Sequence, residues 1–183
     1  MKPAYYILVG ISWVIWFLPF LLRGLGGKAG TNVKDRRALW GILLQGIGYA
    51  LLWQGPFWLQ SAESWRTALA IVFFLLASLL SWTGAQALGK HWRFQAALKA
   101  DHQLVRSGPY RFLRHPIYTS MLCLLLGTGL VLTSWPLLAC AIVIFLVGTE
   151  IRVHIEDGLL ASRFGDDFQV YRKAVPAYIP LVR

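Results

Sequence analysis

Charge is scarce in this sequence. Asp, Glu, Lys and Arg together make up 14% of its 183 residues, against about a quarter in an ordinary soluble domain. Acidic residues are the rarest part: eight, against eighteen Lys and Arg. That balance excludes an acidic, solvated or disordered chain. Cysteine is nearly absent. Cys123 and Cys140 both lie inside apolar runs and read as small core residues, not as a disulfide or a metal centre. The four histidines, His91, His102, His115 and His154, lack the spacing of metal ligands. "GLGG" at 24–27 follows no strand and precedes no acidic partner, so it is no dinucleotide loop. No Ser nucleophile elbow occurs. No internal repeat or low-complexity linker is present.

Apolar residues are abundant, at 57%, with nine Trp and seven Tyr. Aromatics in that number fit the belts at a membrane interface. The class implied is an all-α integral membrane protein. A hydrocarbon core of about 30 Å takes roughly 20 helical residues. Five stretches approach that length: 5–22, 39–59, 66–84, 117–132 and 136–151. The first has a short positive start but bulky aromatics and no small-residue cleavage site, so it is expected to be retained as a span. Between His115 and Glu150 nothing is charged. "TSWP" at 133–136 breaks that region, because Pro136 disfavours helix in the residue before it. The expectation is a tight helical hairpin.

The net charge of +10 is placed asymmetrically. With five spans, the segments 23–38, 85–116 and 152–183 share one side and hold 16 of the 18 Lys and Arg; only Lys2 and Arg66 fall opposite. By the positive-inside rule that side is the cytoplasm, with the N-terminus outside and the C-terminus inside. The implied location is a cytoplasmic (inner) membrane. Positive charge flanking apolar spans argues for membrane lipids as neighbours and against nucleic acid. Residues 1–87 form an N-terminal set of spans, and 88–183 a second half with two more spans and an amphipathic C-terminal helix. In that helix Ile151, Ile155 and Leu159 share one side, and Arg152, Glu156 and Arg163 another. Gly165 is its expected stop.

Chemistry concentrates at the cytoplasmic ends. Arg152 and Glu156 stand four residues apart and meet on one helix face, next to Asp157 and within reach of the loop carrying His115. Glu150, one turn earlier, is expected to pair with Arg114 or another loop cation. In "LVRSGPYRFLRHPIY" (104–118) Pro116 opens the fourth span, where its missing N–H costs nothing. The N–H groups of Ile117 and Tyr118, with Arg114 and His115 beside them, read as an anion receptor. Gln45 and Gln54 in the second span are candidates for bonds between helices.

Taken together, "LGKHW" (88–92), "HQLVRSGPYRFLRHPIYTS" (102–120) and "RVHIEDGLLASRFGDDFQVYRKAVPAYIP" (152–180) resemble the isoprenylcysteine carboxyl methyltransferase family and related membrane phospholipid methyltransferases. The resemblance covers about the last half of the chain. It implies S-adenosylmethionine bound at the cytoplasmic face by this C-terminal half. His102, Gln103, Leu104 and Val105 would line the adenosine. Tyr110, His115, Pro116, Ile117 and Tyr118 would hold the ribose and methionine parts, and Glu156 the ammonium. Arg152 would face the acceptor, making Arg152 and Glu156 the catalytic pair and Arg152 the substrate contact. No metal is implied. The acceptor would be a lipidic or prenylated small molecule bearing a carboxylate. Three positions depart from the family pattern: Asp157 replaces a Glu, Phe168 a Tyr and Ser120 a Gly. Two rival readings stay open. One is phospholipid amine N-methylation. The other is an NADPH-dependent reductase of the sterol-reductase kind, for which Arg106 and Arg111 would be the extra cations.

Overall fold

A computed structural model describes residues 4–24, 33–34, 36–54, 62–89, 97–98 and 104–179. Six helices account for most of them: α1 (Ala4–Gly24), α2 (Ala38–Leu51), α3 (Ser64–Leu88), α4 (Pro116–Leu132), α5 (Trp135–Phe164) and α6 (Asp166–Ala174). A 3-10 turn at Gly108–Arg111 precedes α4. Two short strands, β1 (Val33–Lys34) and β2 (Ala97–Leu98), pair antiparallel. That pairing was not expected. It ties the α1–α2 connection to the α3–α4 connection, two of the basic segments placed on one side by the charge count.

Among the described residues, three helices are long and apolar enough to cross a membrane: those at Ala4–Leu22, Ser64–Leu88 and Trp135–Phe164. The chain is read as an integral membrane protein on these. The other two apolar helices are shorter, and α2 has only 14 residues, about 21 Å. It stops well before the expected end at residue 59, in a turn at Leu52 and Trp53. Pro56 follows in sequence and would clash with the carbonyl of Leu52 in a continuing helix. The hairpin between α4 and α5 forms as expected. Ser134 is extended before α5 and Pro136 lies in its first turn. At 30 residues, α5 is about 45 Å long, so its last turns project beyond a single bilayer core. Gly165 ends it with φ near 51°, a backbone state that glycine adopts without a Cβ clash.

The helices alternate in direction. Antiparallel α2 and α5 bring Gly41 beside Gly148 and Gly48 beside Ala141 and Phe145. Antiparallel α3 and α4 bring Phe74 to Gly127, and Gly84 to Pro116 and Ile117. Helix α1 is tied to this group by the Trp13 indole donating to Thr128 and the Trp16 indole to Ser120. The core therefore runs through Phe74, Leu124, Leu125, Leu138 and Phe145. Val14, Trp40, Leu75 and Val143 point outward, more than 60% exposed, as side chains facing lipid would. At one end, Trp65 and Trp135 stack and Arg66 lies over the Trp135 ring. The opposite end gathers the start of α2, the end of α3, the start of α4 and the emerging turns of α5.

Candidate functional site

The C-terminal tail builds the floor of that second end. After α6 the chain extends, and the carbonyls of Pro176 and Ala177 accept the backbone N–H groups of Arg114 and His115 at 2.9 and 2.8 Å. The Tyr178 carbonyl accepts the Thr119 hydroxyl. Residues just before α4 are thus locked in place, and His115 is held against α5.

His115 stands between the two acids. Its Nε2 is 2.9 Å from Asp157 Oδ1, and its Nδ1 is 3.4 Å from Glu156 Oε2. Burial works against the imidazolium. The hydrogen bonds to Asp157 and Glu156 and their negative charge outweigh it, so His115 is held above its ordinary value of 6.5. Arg114 pairs with Asp157 and also donates to the Val175 carbonyl. The exposed Arg172 approaches Asp157 at 3.8 Å. Glu156 accepts the Tyr118 hydroxyl and lies 3.7 Å from Arg152. The Arg152 guanidinium sits over the Tyr118 ring, 4.8 Å from its centre, in a cation–π contact. Arg114, Arg152 and His115, whose charged form the acids favour, are thus packed against two carboxylates, and all three are at least 91% buried.

The two acids differ in access. The Glu156 side chain keeps 24% of its surface exposed, and that of Asp157 only 7%. Asp157, one of the three departures, is tied to the α4 entrance, while Glu156 stays open. The other two departures are also accommodated. Phe168 is fully buried with Tyr171 and Val175. The Ser120 hydroxyl donates to Ile117 and accepts the Trp16 indole.

Four of the eleven residues expected in the site, Arg152, Glu156, His115 and Tyr118, form one contact cluster. Tyr110 is buried nearby, its carbonyl accepting the Tyr171 hydroxyl. Burial, with the charge of Glu156, pushes its phenol well above 10 and keeps it neutral. Pro116 is buried and Ile117 half-buried, both facing α3 at Gly84. Leu104 packs on the Phe168 cluster, and Val105 is half-buried. His102 and Gln103 lie outside the described residues.

Three expectations need correction. The Tyr118 N–H is not available to an anion, because it donates to the His115 carbonyl at 3.0 Å, as does that of Thr119 at 3.3 Å. The first turn of α4 closes on itself. Glu150 does not pair with Arg114; it is exposed and accepts the Tyr178 hydroxyl at 2.5 Å, since about two turns of helix separate it from Asp157, the acid that Arg114 reaches. Gln54 lies just past the end of α2 and donates back to the Ala50 carbonyl, not across to another helix. Gln45, by contrast, does bridge helices, and it reaches the site: its amide contacts Thr149 at 2.9 Å and Arg152 at 3.0 Å. The signal was legible, since Gly41, Gln45 and Gly48 recur on one helix face.

Comparison with known proteins places these residues in a family. The family model described as phospholipid methyltransferase matches residues 65–167. The protein-S-isoprenylcysteine O-methyltransferase of Schizosaccharomyces pombe is 29% identical over 82% of this chain and 70% of its own length. The cobalt-zinc-cadmium resistance protein CzcN of Cupriavidus metallidurans is 26% identical over 80% of this chain and 64% of its own. The protein-S-isoprenylcysteine O-methyltransferase B of Arabidopsis thaliana is 27% identical over 64% of this chain and 61% of its own. The chain therefore spans less than two thirds of the latter two. The family match runs from the start of α3 into α6 and encloses Arg114, His115, Tyr118, Arg152, Glu156 and Asp157; the chain belongs to the phospholipid methyltransferase family.

Proposed function

We propose that this protein is an integral-membrane methyltransferase that uses S-adenosylmethionine to esterify a carboxylate on an isoprenylcysteine-like or other lipidic acceptor. The observation that carries the reading is the buried cluster of Arg114, Arg152 and His115 around two carboxylates, with Arg152 set beside the partly open Glu156. Relatives named as isoprenylcysteine O-methyltransferases support it. The Lys and Arg distribution supports a cytoplasmic site end, and the acceptor would reach it from the bilayer.

The residues fit the cofactor in kind. Glu156 is an acid left partly open in an otherwise buried cluster, as an ammonium partner should be. Tyr110 and Tyr118 offer aromatic surface beside it, and the neutral Tyr110 phenol suits a ribose hydroxyl. His102, Gln103, Leu104 and Val105 would border the adenosine, and His115, Pro116 and Ile117 the methionine end. The Tyr118 amide is spent, so of the two amides expected to receive an anion the cofactor carboxylate would have that of Ile117, beside the side-chain cations.

When bound, the cofactor supplies an electrophilic methyl group. The protein's part is alignment and exclusion of water. An acceptor carboxylate is ionised at neutral pH and needs no base. Arg152 would orient it by a two-point contact, with Tyr118 fixing the guanidinium plane. An amine acceptor would have to lose a proton. The family's description keeps phospholipid amine methylation as a second reading, but both acids already serve other donors, and their charge favours the protonated form of His115. Arg152→Ala tests the assignment: acceptor turnover should fall at least tenfold, with S-adenosylhomocysteine affinity changed far less. Unchanged turnover would remove Arg152 from the acceptor site.

A further inference from the structure

We propose that Gln45 is a positioning residue that holds Arg152 for the acceptor carboxylate without neutralising it. The proposal rests on the carboxyl-transfer reading above. Gln45 belongs to α2, outside the family-matched segment, and is 2% exposed. It is placed there by a close helix crossing. A Cβ on Gly41 would lie 2.6 Å from the Gly148 carbonyl, and one on Gly148 would lie 3.0 Å from the Gln45 amide nitrogen. Only glycine at both positions lets α2 approach α5 so closely.

The hydrogen bonds fix which way the Gln45 amide faces. The Thr149 hydroxyl donates to the Phe145 carbonyl at 2.9 Å. Its proton is thereby used, so Thr149 can only accept from Gln45. The Gln45 NH2 must point at Thr149, and its carbonyl oxygen must point at Arg152. The amide cannot flip without facing donor to donor at Arg152. Arg152 thus gains a rigid acceptor that carries no charge. A Glu in the same place would form a buried ion pair with Arg152 and compete with an acceptor carboxylate for the guanidinium.

The test compares Gln45→Glu, Gln45→Met and Thr149→Val in the purified full chain. N-acetyl-S-farnesylcysteine serves as acceptor probe, and calorimetry with S-adenosylhomocysteine reports the cofactor site. In Gln45→Glu the acceptor KM should rise by about tenfold or more, with S-adenosylhomocysteine affinity within about threefold. Gln45→Met keeps the volume but removes this one acceptor from the guanidinium; kcat should fall by about 10–100-fold with less change in KM. Thr149→Val should show a weaker form of the Gln45→Met effect. A merely structural Gln45 would move both affinities together. Equal losses of acceptor and cofactor affinity in Gln45→Glu, or wild-type kinetics in Gln45→Met, would overturn the proposal. If Gln45→Glu does not fold, Gln45→Met decides. Wild-type protein that binds no S-adenosylhomocysteine and methylates no probe would instead defeat the carboxyl-transfer reading itself, a result distinct from wild-type activity retained in the variants.

Discussion

Two glycines on α5 should respond to alanine with opposite sign. A methyl group on Gly148 would sit 2.7 Å from the Gly41 carbonyl, 2.9 Å from Leu44 Cβ and 3.0 Å from the Gln45 nitrogen. Two of these three atoms are backbone, so no side chain can swing aside to relieve them. Helix α2 must move away from α5. Overpacking of this kind costs about 1–3 kcal/mol. For a chain of this size, each kcal/mol shifts the melting temperature by about 2–4 °C, so Gly148→Ala should melt roughly 2–12 °C below wild type. Gly158 lies ten residues on in the same helix, is exposed, and has nothing within 4 Å of an added Cβ. There the substitution only improves helix propensity, by about 0.4–1 kcal/mol. Thermal unfolding in detergent, followed by tryptophan fluorescence, measures both. The shift in α2 should also reach Gln45 and raise the acceptor KM of Gly148→Ala alone. A Gly148→Ala protein as stable as Gly158→Ala, with wild-type acceptor KM, would refute the close crossing and the support it gives Arg152.

Other outcomes follow from the same contacts. Asp157→Asn leaves Arg114 and His115 buried with a neutral partner, and should destabilise the protein by about 3–5 kcal/mol, read as a fall in melting temperature. Glu156→Gln should weaken S-adenosylhomocysteine binding in calorimetry by about tenfold or more while leaving the fold intact, because Glu156 is the open acid. The raised His115 titration stabilises the fold fully below about pH 6.5. That contribution disappears as pH rises through the elevated folded-state value. Melting temperature should therefore fall as pH rises above about 6.5, and His115→Gln should flatten the fall. Tyr178→Phe removes the hydrogen bond to Glu150 and should cost about 0.5–1.5 kcal/mol, with little effect on turnover.

The helices were largely legible because an apolar run of known length has few alternatives in a bilayer. Pro136 and Gly165 marked their breaks in advance, since both act through local backbone geometry. The end of α2 was misplaced because residues 53–59 are uncharged and rich in aromatics, although Gly55 and Pro56 among them already disfavour a continuing helix. The pairing of Arg152 with Glu156 followed from helix periodicity alone. Their meeting with His115 was anticipated from sidedness, because three basic segments had to share one end. The clasp of 114–115 by 176–177 could not be read, since backbone hydrogen bonds leave no mark on residue type. The closed first turn of α4 was missed for the same reason. Gln45 carried a signal in its flanking glycines, but its partner Thr149 lies 104 positions away and only the fold brings them together.

The most direct measurement is the bond formed by the transferred methyl group. Purified protein in detergent would be given methyl-tritiated S-adenosylmethionine with N-acetyl-S-farnesylcysteine in one arm and a phosphatidylethanolamine in the other. A carboxyl methyltransferase gives label that mild base releases as volatile methanol, from the first arm only, and the release is lost in Arg152→Ala. Base-stable label in the phosphatidylethanolamine arm, with none in the other, would contradict the carboxylate assignment.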